Sequence, residues 1–264
     1  MKIRLFAKAN EISETTRNDL EEKLVSNGYE LSNEDDYDLA IAVGGDGTFL
    51  KMIHECKFDP TKKFSSINTG NLGYLTTMNK DELSLFIQDL NTNNFNVEKI
   101  KFLTIKINTN DEYDGSVYHV LNEVSVRNTL FKTLYLSVFI NNNLLYKLAG
   151  DGVAVSSTIG STAYNMSLGG SIIDPSFDVM QITPIAPINS LINKNIANSF
   201  ITGTNNKIII KPINKENSTT IVLDGKVIPL KDLISIEVTS TNSINMLRDV
   251  DYNNLININN KIYK

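Results

Sequence analysis

The chain has 264 residues, a formal net charge of -5, one cysteine and two histidines. That length accommodates one large or two small domains, and the acidic balance excludes nucleic acid as the main partner, because phosphate backbones call for clustered Lys and Arg. Cys56 alone excludes an internal disulfide and a multi-cysteine zinc or iron–sulfur site, and His54 and His119 are too few for a His-based metal centre. Residues 1–6 are charged and short, which predicts no secretory leader, and no apolar run approaches a membrane span. A soluble, cytoplasmic protein with no membrane partner is expected.

In chain order, residues 2–7 predict a strand with Ile3, Leu5 and Ala7 on one face. Ser13 offers an N-cap for a helix carrying Leu20, Leu24 and Val25, and Gly28 fits its stop. After a polar loop over 33–38, the apolar run 39–43 predicts a buried parallel strand. It stops at Gly44 and Gly45, and from Phe49 the residues Leu50, Met52 and Ile53 follow at helical spacing. His54, beside Ile53 on that helix, reads as structural. A short strand over 64–67 leads into a second glycine-punctuated loop over 68–75, and residues 81–90 return to helical spacing with Leu83, Phe86, Ile87 and Leu90 on one face. Strands alternating with helices predict a small parallel sheet covered on both sides.

Beyond residues 91–96 the period changes to two. Leu103, Ile105 and Ile107 alternate with polar residues, as do Leu134, Leu136, Val138 and Ile140, and strand-like runs recur at 207–211, 220–223, 227–230 and 233–238. The expected organisation is an α/β domain over 1–97, a β-rich domain over 98–243, and a tail over 244–264 that returns to the first domain.

Two stretches carry chemistry. The first is Gly44, Gly45, Asp46, Gly47 and Thr48, where a strand, a glycine turn and a helix present backbone N–H groups to a phosphate. A carboxylate in such a turn repels its own ligand, so Asp46 needs a reason to be there: it binds Mg²⁺, accepts a proton from an attacking hydroxyl, or merely caps the helix from Phe49. Three glycines within four positions exceed what a cap requires, and the turn points to phosphoryl transfer. The second stretch, residues 150–170, brackets a dense run of hydroxyls between glycines, suited either to a polar ligand or to a solvated loop. Tyr164 and Met166 favour the ligand, as a base-stacking pocket would use them. Asn122 and Glu123 are adjacent in a strand-like context, so at most one faces inward unless a bulge or strand end intervenes. Neither a Gly-Lys-Ser/Thr phosphate loop nor a Gly-x-Gly-x-x-Gly fingerprint is present.

On these motifs the sequence resembles the NAD kinase family. The Gly-Gly-Asp-Gly-Thr turn is Gly44 to Thr48, the family's second loop is similar to 68–75, its Asn-Glu pair is Asn122 and Glu123, its Gly-Asp-Gly is 150–152, and its Gly-Ser-Thr-Ala-Tyr is 160–164, followed by small residues at 167–170. All occur in family order. The resemblance implies an N-terminal α/β (Rossmann-like, parallel-sheet) domain followed by a C-terminal β-sandwich, with NAD bound between them. It further implies Mg²⁺-dependent transfer of a phosphoryl group from ATP or polyphosphate to the 2′-hydroxyl of the adenosine ribose. In that reading Asp46 takes the hydroxyl proton, and Gly47 lines the same turn. Gly44, Gly45, Thr48, Asn68 and Gly70 form the phosphate-donor loops. Asn122, Glu123 and Asp151 hold the dinucleotide, and Thr162, Ala163, Tyr164, Asn165, Met166, Ser167 and Ala186 surround the adenosine. A homo-oligomer, dimer or tetramer, is also implied.

The chain departs from the family pattern at two places. Ala149 stands where many members have arginine, leaving Lys147, from an adjacent subunit, as the candidate cation for the new 2′-phosphate, and Ile159 replaces a common proline. Asp224-Gly225-Lys226 resembles a late Asp-Gly turn of the family and reads by itself as a hairpin turn. Two alternatives share some of these features: a lipid kinase of the diacylglycerol or sphingosine type, and a non-catalytic NAD(P)-binding regulator.

Overall fold

The computed structural model describes residues 1–70, 73, 75–128, 132–188, 198–214 and 219–250. The chain divides into two compact units, one formed by 1–100 with 243–264 and the other by 101–242.

The first unit is built on a seven-stranded sheet. Its elements are β1 (Lys2–Ala7), α1 (Glu11–Ser26), β2 (Glu30–Leu31), β3 (Leu39–Val43), α2 (Asp46–Glu55), β4 (Lys63–Asn68), β5 (Met78–Asn79), α3 (Leu83–Thr92) and β6 (Phe95–Lys101). A return strand, Ser243–Asp249, lies between β4 and β6, giving the order β2-β1-β3-β4-return-β6 with β5 on β4. Strands β1, β3 and β4 run parallel, and the return strand joins β4 in parallel through Asn245 and Met246. Every residue of β3 is buried. Leu39, Ile41 and Val43 face a cluster with Leu20 and Leu24 of α1 and Leu83, Phe86 and Ile87 of α3. Ala40 and Ala42 point the other way, as strand alternation requires, and their small side chains suit the close packing of α2 on β3. Val97 lies inside β6. Of the tail, residues 251–264 fall outside the described residues.

The second unit pairs two antiparallel six-stranded sheets. Its elements are β7 (Leu103–Thr109), β8 (Val117–Val120), β9 (Glu123–Asn128), β10 (Leu134–Ile140), β11 (Asn143–Gly150), β12 (Gly152–Ser157), α4 (Tyr164–Ser167), β13 (Val179–Ile185), β14 (Phe200–Gly203), β15 (Ile208–Pro212), β16 (Thr219–Leu223), β17 (Lys226–Leu230) and β18 (Leu233–Thr239). One sheet has the order β11-β10-β15-β18-β7-β8 and the other β14-β13-β12-β9-β16-β17. The period-two residues close one shared core, with Leu103, Ile105, Val138, Ile210 and Ile236 from the first sheet and Val124, Val126, Val153, Val155, Ile182 and Ile221 from the second. This is a β-sandwich.

Two helix starts differ from the sequence expectation. Asn10, not Ser13, caps α1: its side chain accepts the Ser13 N–H at 2.8 Å, and Ser13 is helical and buried. Asn and Ser cap equally well, so spacing alone does not separate them. Helix α2 starts at Asp46, three residues before Phe49, with Gly45 in the cap position. Among the described residues, no helix is long and apolar enough to cross a membrane.

Candidate active site

In the first unit the parallel strand β3 ends at Val43, the Gly44 N–H donates to Ile67 O at 2.9 Å, and α2 begins at Asp46. Asp46 is therefore the first helical residue, not the cap. A carboxylate at this end of a helix is favoured by the helix dipole. Its Oδ1 accepts the Leu75 N–H at 2.9 Å, so the side chain is tied to the second glycine loop. That close approach requires glycine at position 73, where a Cβ would sit 2.2 Å from Asp46 Oδ1. Gly47 and Thr48 fill the first helical turn, with the Thr48 N–H on Gly45 O at 2.9 Å.

The loop over 68–75 is braced by hydroxyls and amides. Asn68 Nδ2 donates to Gly70 O at 2.8 Å, and the Gly70 N–H returns to Asn68 Oδ1 at 3.2 Å. Thr76 Oγ1 donates to Gly73 O, Ser66 Oγ donates to Leu75 O, and Thr77 Oγ1 donates to Leu247 O of the return strand. Asn71, Leu72 and Tyr74 lie outside the described residues. The structure thus brings Gly44, Gly45, Asp46, Gly47 and Thr48 together with the loop that Asn68 and Gly70 open.

In the second unit, Asn122 stands at a bend and β9 starts at Glu123, so the pair occupies a strand end. Glu123, Ser125 and Arg127 alternate along the face of β9 away from the core, opposite Ser156, Ala154 and Gly152 of β12. Burial and then the neighbouring Asp224 carboxylate push the Glu123 carboxyl up to about 7, while the Tyr164 N–H and Arg127 act in the opposite sense. Glu123 Oε2 and Ser156 Oγ are buried and make no protein hydrogen bond among the described residues. Arg127 donates from Nε to Ser125 Oγ at 3.2 Å and lays its guanidinium 4.6 Å over the Tyr164 ring. This is a cation–π contact on the aromatic side chain that the sequence marked for stacking.

The hydroxyl-rich stretch packs over that same face. Asn165 is fully buried: its Oδ1 accepts Thr183 Oγ1 at 2.6 Å, and its Nδ2 donates to Ser161 O and Ser171 O. Thr162 is buried beside it, Ala163 and Tyr164 are half-buried, and Met166 and Ser167 are exposed. Asp151 sits at the exposed bend between β11 and β12, and its N–H donates to Ile185 O at 3.0 Å, which sets it beside Ala186. Ala186 has a φ of 43°, the left-handed region. Lys147 is exposed on the edge strand β11, in register with Ser137 of β10. Sequence reasoning missed Arg127, whose alternation with Glu123 on one strand face was the available signal.

Asp224 does form the hairpin turn expected, with Asp224 and Gly225 both at positive φ between β16 and β17. Its carboxylate also accepts the N–H groups of Leu121, Asn122 and Glu123, partners about a hundred positions away that no local pattern reveals. Among the described residues no group of three or more His, Cys, Asp or Glu side chains is placed to hold a metal ion.

Residues 2–95 match the family model described as the ATP-NAD kinase N-terminal domain, and residues 121–248 match that of the ATP-NAD kinase C-terminal domain. The chain is 34% identical to an NAD kinase of Finegoldia magna over 228 residues, covering 84% of this chain and 83% of the relative. It is 30% identical to an NAD kinase of Staphylococcus saprophyticus over 215 residues, covering 81% and 77%. Among solved structures, a yeast NADH kinase complexed with NADH superposes with a TM-score of 0.82 at 21% identity, covering 98% of this chain and 86% of that one. An Archaeoglobus fulgidus NAD kinase in complex with ATP gives 0.78 at 21%, covering 99% and 98%. At that identity the two structures speak for the fold.

Proposed function

The chain belongs to the NAD kinase family, and we propose that the turn around Asp46 carries out the phosphorylation of NAD to NADP with ATP as donor. The observation that carries this reading is the placement of Asp46: first residue of α2, inside a glycine turn, with its carboxylate anchored on the Leu75 N–H. A carboxylate there disfavours a bound anion, and accepting a proton gives it a use beyond bracing the helix and the loop. In the proposed step the 2′-oxygen of the adenosine ribose attacks the γ-phosphorus, the bond to ADP breaks with its electron pair leaving on ADP, and Asp46 takes the hydroxyl proton. The N-terminal end of α2, with Gly44, Gly45, Gly47 and Thr48, and the loop at Asn68 and Gly70 would cradle the donor phosphates.

A single carboxylate in the phosphate turn fits a Mg²⁺ ion held mainly by phosphate oxygens, which needs few protein ligands. Bound there with ATP, Mg²⁺ would neutralise charge on the transferring group. Asn122, Glu123 and Asp151 would hold the dinucleotide, and Thr162, Ala163, Tyr164, Met166, Ser167 and Ala186 would surround the adenosine. Asn165, with its amide fully engaged, would act by fixing that segment. A homodimer or tetramer in the cytoplasm, with Lys147 of one subunit reaching the 2′-phosphate held by another, completes the proposal. Neither the lipid kinase nor the regulator is favoured, since relatives at 30–34% identity over four-fifths of the chain are NAD kinases. Purified protein given NAD, Mg²⁺ and ATP, with polyphosphate in parallel, should form NADP. No NADP with either donor would overturn the reading.

A further inference from the structure

We infer that Asp224 is a positioning residue for dinucleotide binding, acting through the backbone that presents Asn122 and Glu123. This rests on the NAD kinase reading above. The two oxygens of Asp224 accept three consecutive backbone N–H groups, Leu121 at 2.7 Å on Oδ2, and Asn122 at 2.9 Å and Glu123 at 3.1 Å on Oδ1. The Asp224 N–H in turn donates to Glu123 O at 3.1 Å. From the other side Ser157 grips two of these residues by their carbonyls: its Oγ donates to Leu121 O and its N–H to Asn122 O at 2.9 Å. Gly160 closes against Asn122 so tightly that a Cβ would lie 2.1 Å from Asn122 O, and its own N–H donates to Ser157 Oγ at 3.0 Å. Three residues at a strand end are thus fixed by donors on one side and acceptors on the other, at separations of 101 to 103 residues along the chain for Asp224.

The hairpin turn alone does not explain an aspartate. Both central positions of that turn take positive φ, which Asn and Gly satisfy as well as Asp. An amide offers one acceptor oxygen and would turn its NH₂ toward a backbone donor; only a carboxylate accepts from all three. The carboxylate is kept although it stands near Glu123, where its charge disfavours the ionised form of that side chain. The charged groups facing Glu123 are Asp224 from the hairpin turn and Arg127 from its own strand, with the Tyr164 N–H from α4.

The test is Asp224→Asn in the full-length protein. Titration calorimetry of NAD without donor should show affinity lower by about 10- to 100-fold, the scale of leaving a buried donor without its acceptor. In turnover, KM for NAD should rise while KM for ATP stays within about twofold, because the phosphate turn is untouched. The acid limb of kcat/KM for NAD should also move to lower pH, since removing the neighbouring charge eases ionisation of Glu123. Unchanged NAD affinity, or an equal loss for NAD and ATP with the acid limb unmoved, would overturn the inference. Should Asp224→Asn fail to fold, Ser157→Ala replaces it: NAD affinity is expected to drop with ATP unaffected, and wild-type affinity would overturn the inference. Calorimetry separates this from the wider reading, which fails when the wild type forms no NADP.

Discussion

In the proposed reaction Asp46 would serve the fold and the chemistry with one side chain. Its Oδ1 is held by Leu75 N–H, so the carboxylate arrives at the phosphate turn already oriented. Asp46→Asn should keep the fold and much of the NAD affinity while lowering kcat by a factor of about 10² to 10⁴, the range of a general base, as followed by NADP formation. Gly73→Ala tests the same geometry from the other side. A Cβ 2.2 Å from Asp46 Oδ1 must displace the carboxylate, so kcat should fall with little change in unfolding temperature. Glu123 makes a pH prediction. Its folded pKa, about 7, lies above the ordinary value of 4.5, so the folded state holds the proton more tightly than the unfolded chain. That contribution to stability is full below about pH 4.5 and is lost as pH rises through about 7. Urea unfolding at pH 5 and pH 8 should therefore show a pH-dependent loss in the wild type that is smaller in Glu123→Gln. Equal losses in both would remove Glu123 from the account.

Within single elements the sequence is legible where period and turn chemistry are local, and silent where a partner lies far along the chain. The all-buried strand β3, the glycine stop after it, and the two-residue Asp224-Gly225 hairpin follow from residues within a few positions of one another. The cap of α1 is Asn10 and not the expected Ser13, because the two residue types cap equally well, and α2 starts earlier than expected because glycines conceal helical periodicity. What could not be read is bracing across the sequence. The loop that orients Asp46 is held by the return strand, through Thr77 Oγ1 on Leu247 O and through Arg248, which donates from Nη1 to Thr76 O at 3.3 Å and from Nε to Glu98 Oε2 at 2.7 Å. Arg248 is only 3% exposed, whereas Glu98 keeps part of its solvent contact. Arg248→Met should cost up to about 3 kcal/mol, at the low end for breaking a buried pair because Glu98 is partly screened. The loss should be visible in urea unfolding and should be accompanied by a lower kcat as the loop over 73–77 loosens.

For the whole molecule the decisive feature is that one unit is continuous and the other is not. The sandwich runs unbroken from 101 to 242, while the parallel-sheet unit needs residues from both ends of the chain. The return strand is an interior member of its sheet, between β4 and β6, and buries Ile244, Met246 and Leu247. Burying three such side chains contributes roughly 5–9 kcal/mol, as much as the entire net stability of many domains. A chain ending at residue 242 would leave β4 without that neighbour and cut β6 off from the rest of the sheet, exposing apolar edges prone to pairing. Such a chain should lose cooperative unfolding of the first unit and aggregate. A fragment over 101–242 should instead keep a β-rich circular dichroism spectrum and a single unfolding transition, because its core is drawn from its own two sheets. Supplying a peptide over 243–264 in trans should restore order to the truncated chain in proportion to peptide concentration, since the strand's contacts are then made by association rather than within the chain. A truncated chain that unfolds like the full one would show that the return strand is dispensable, and with it the bracing that connects this strand to the loop holding Asp46.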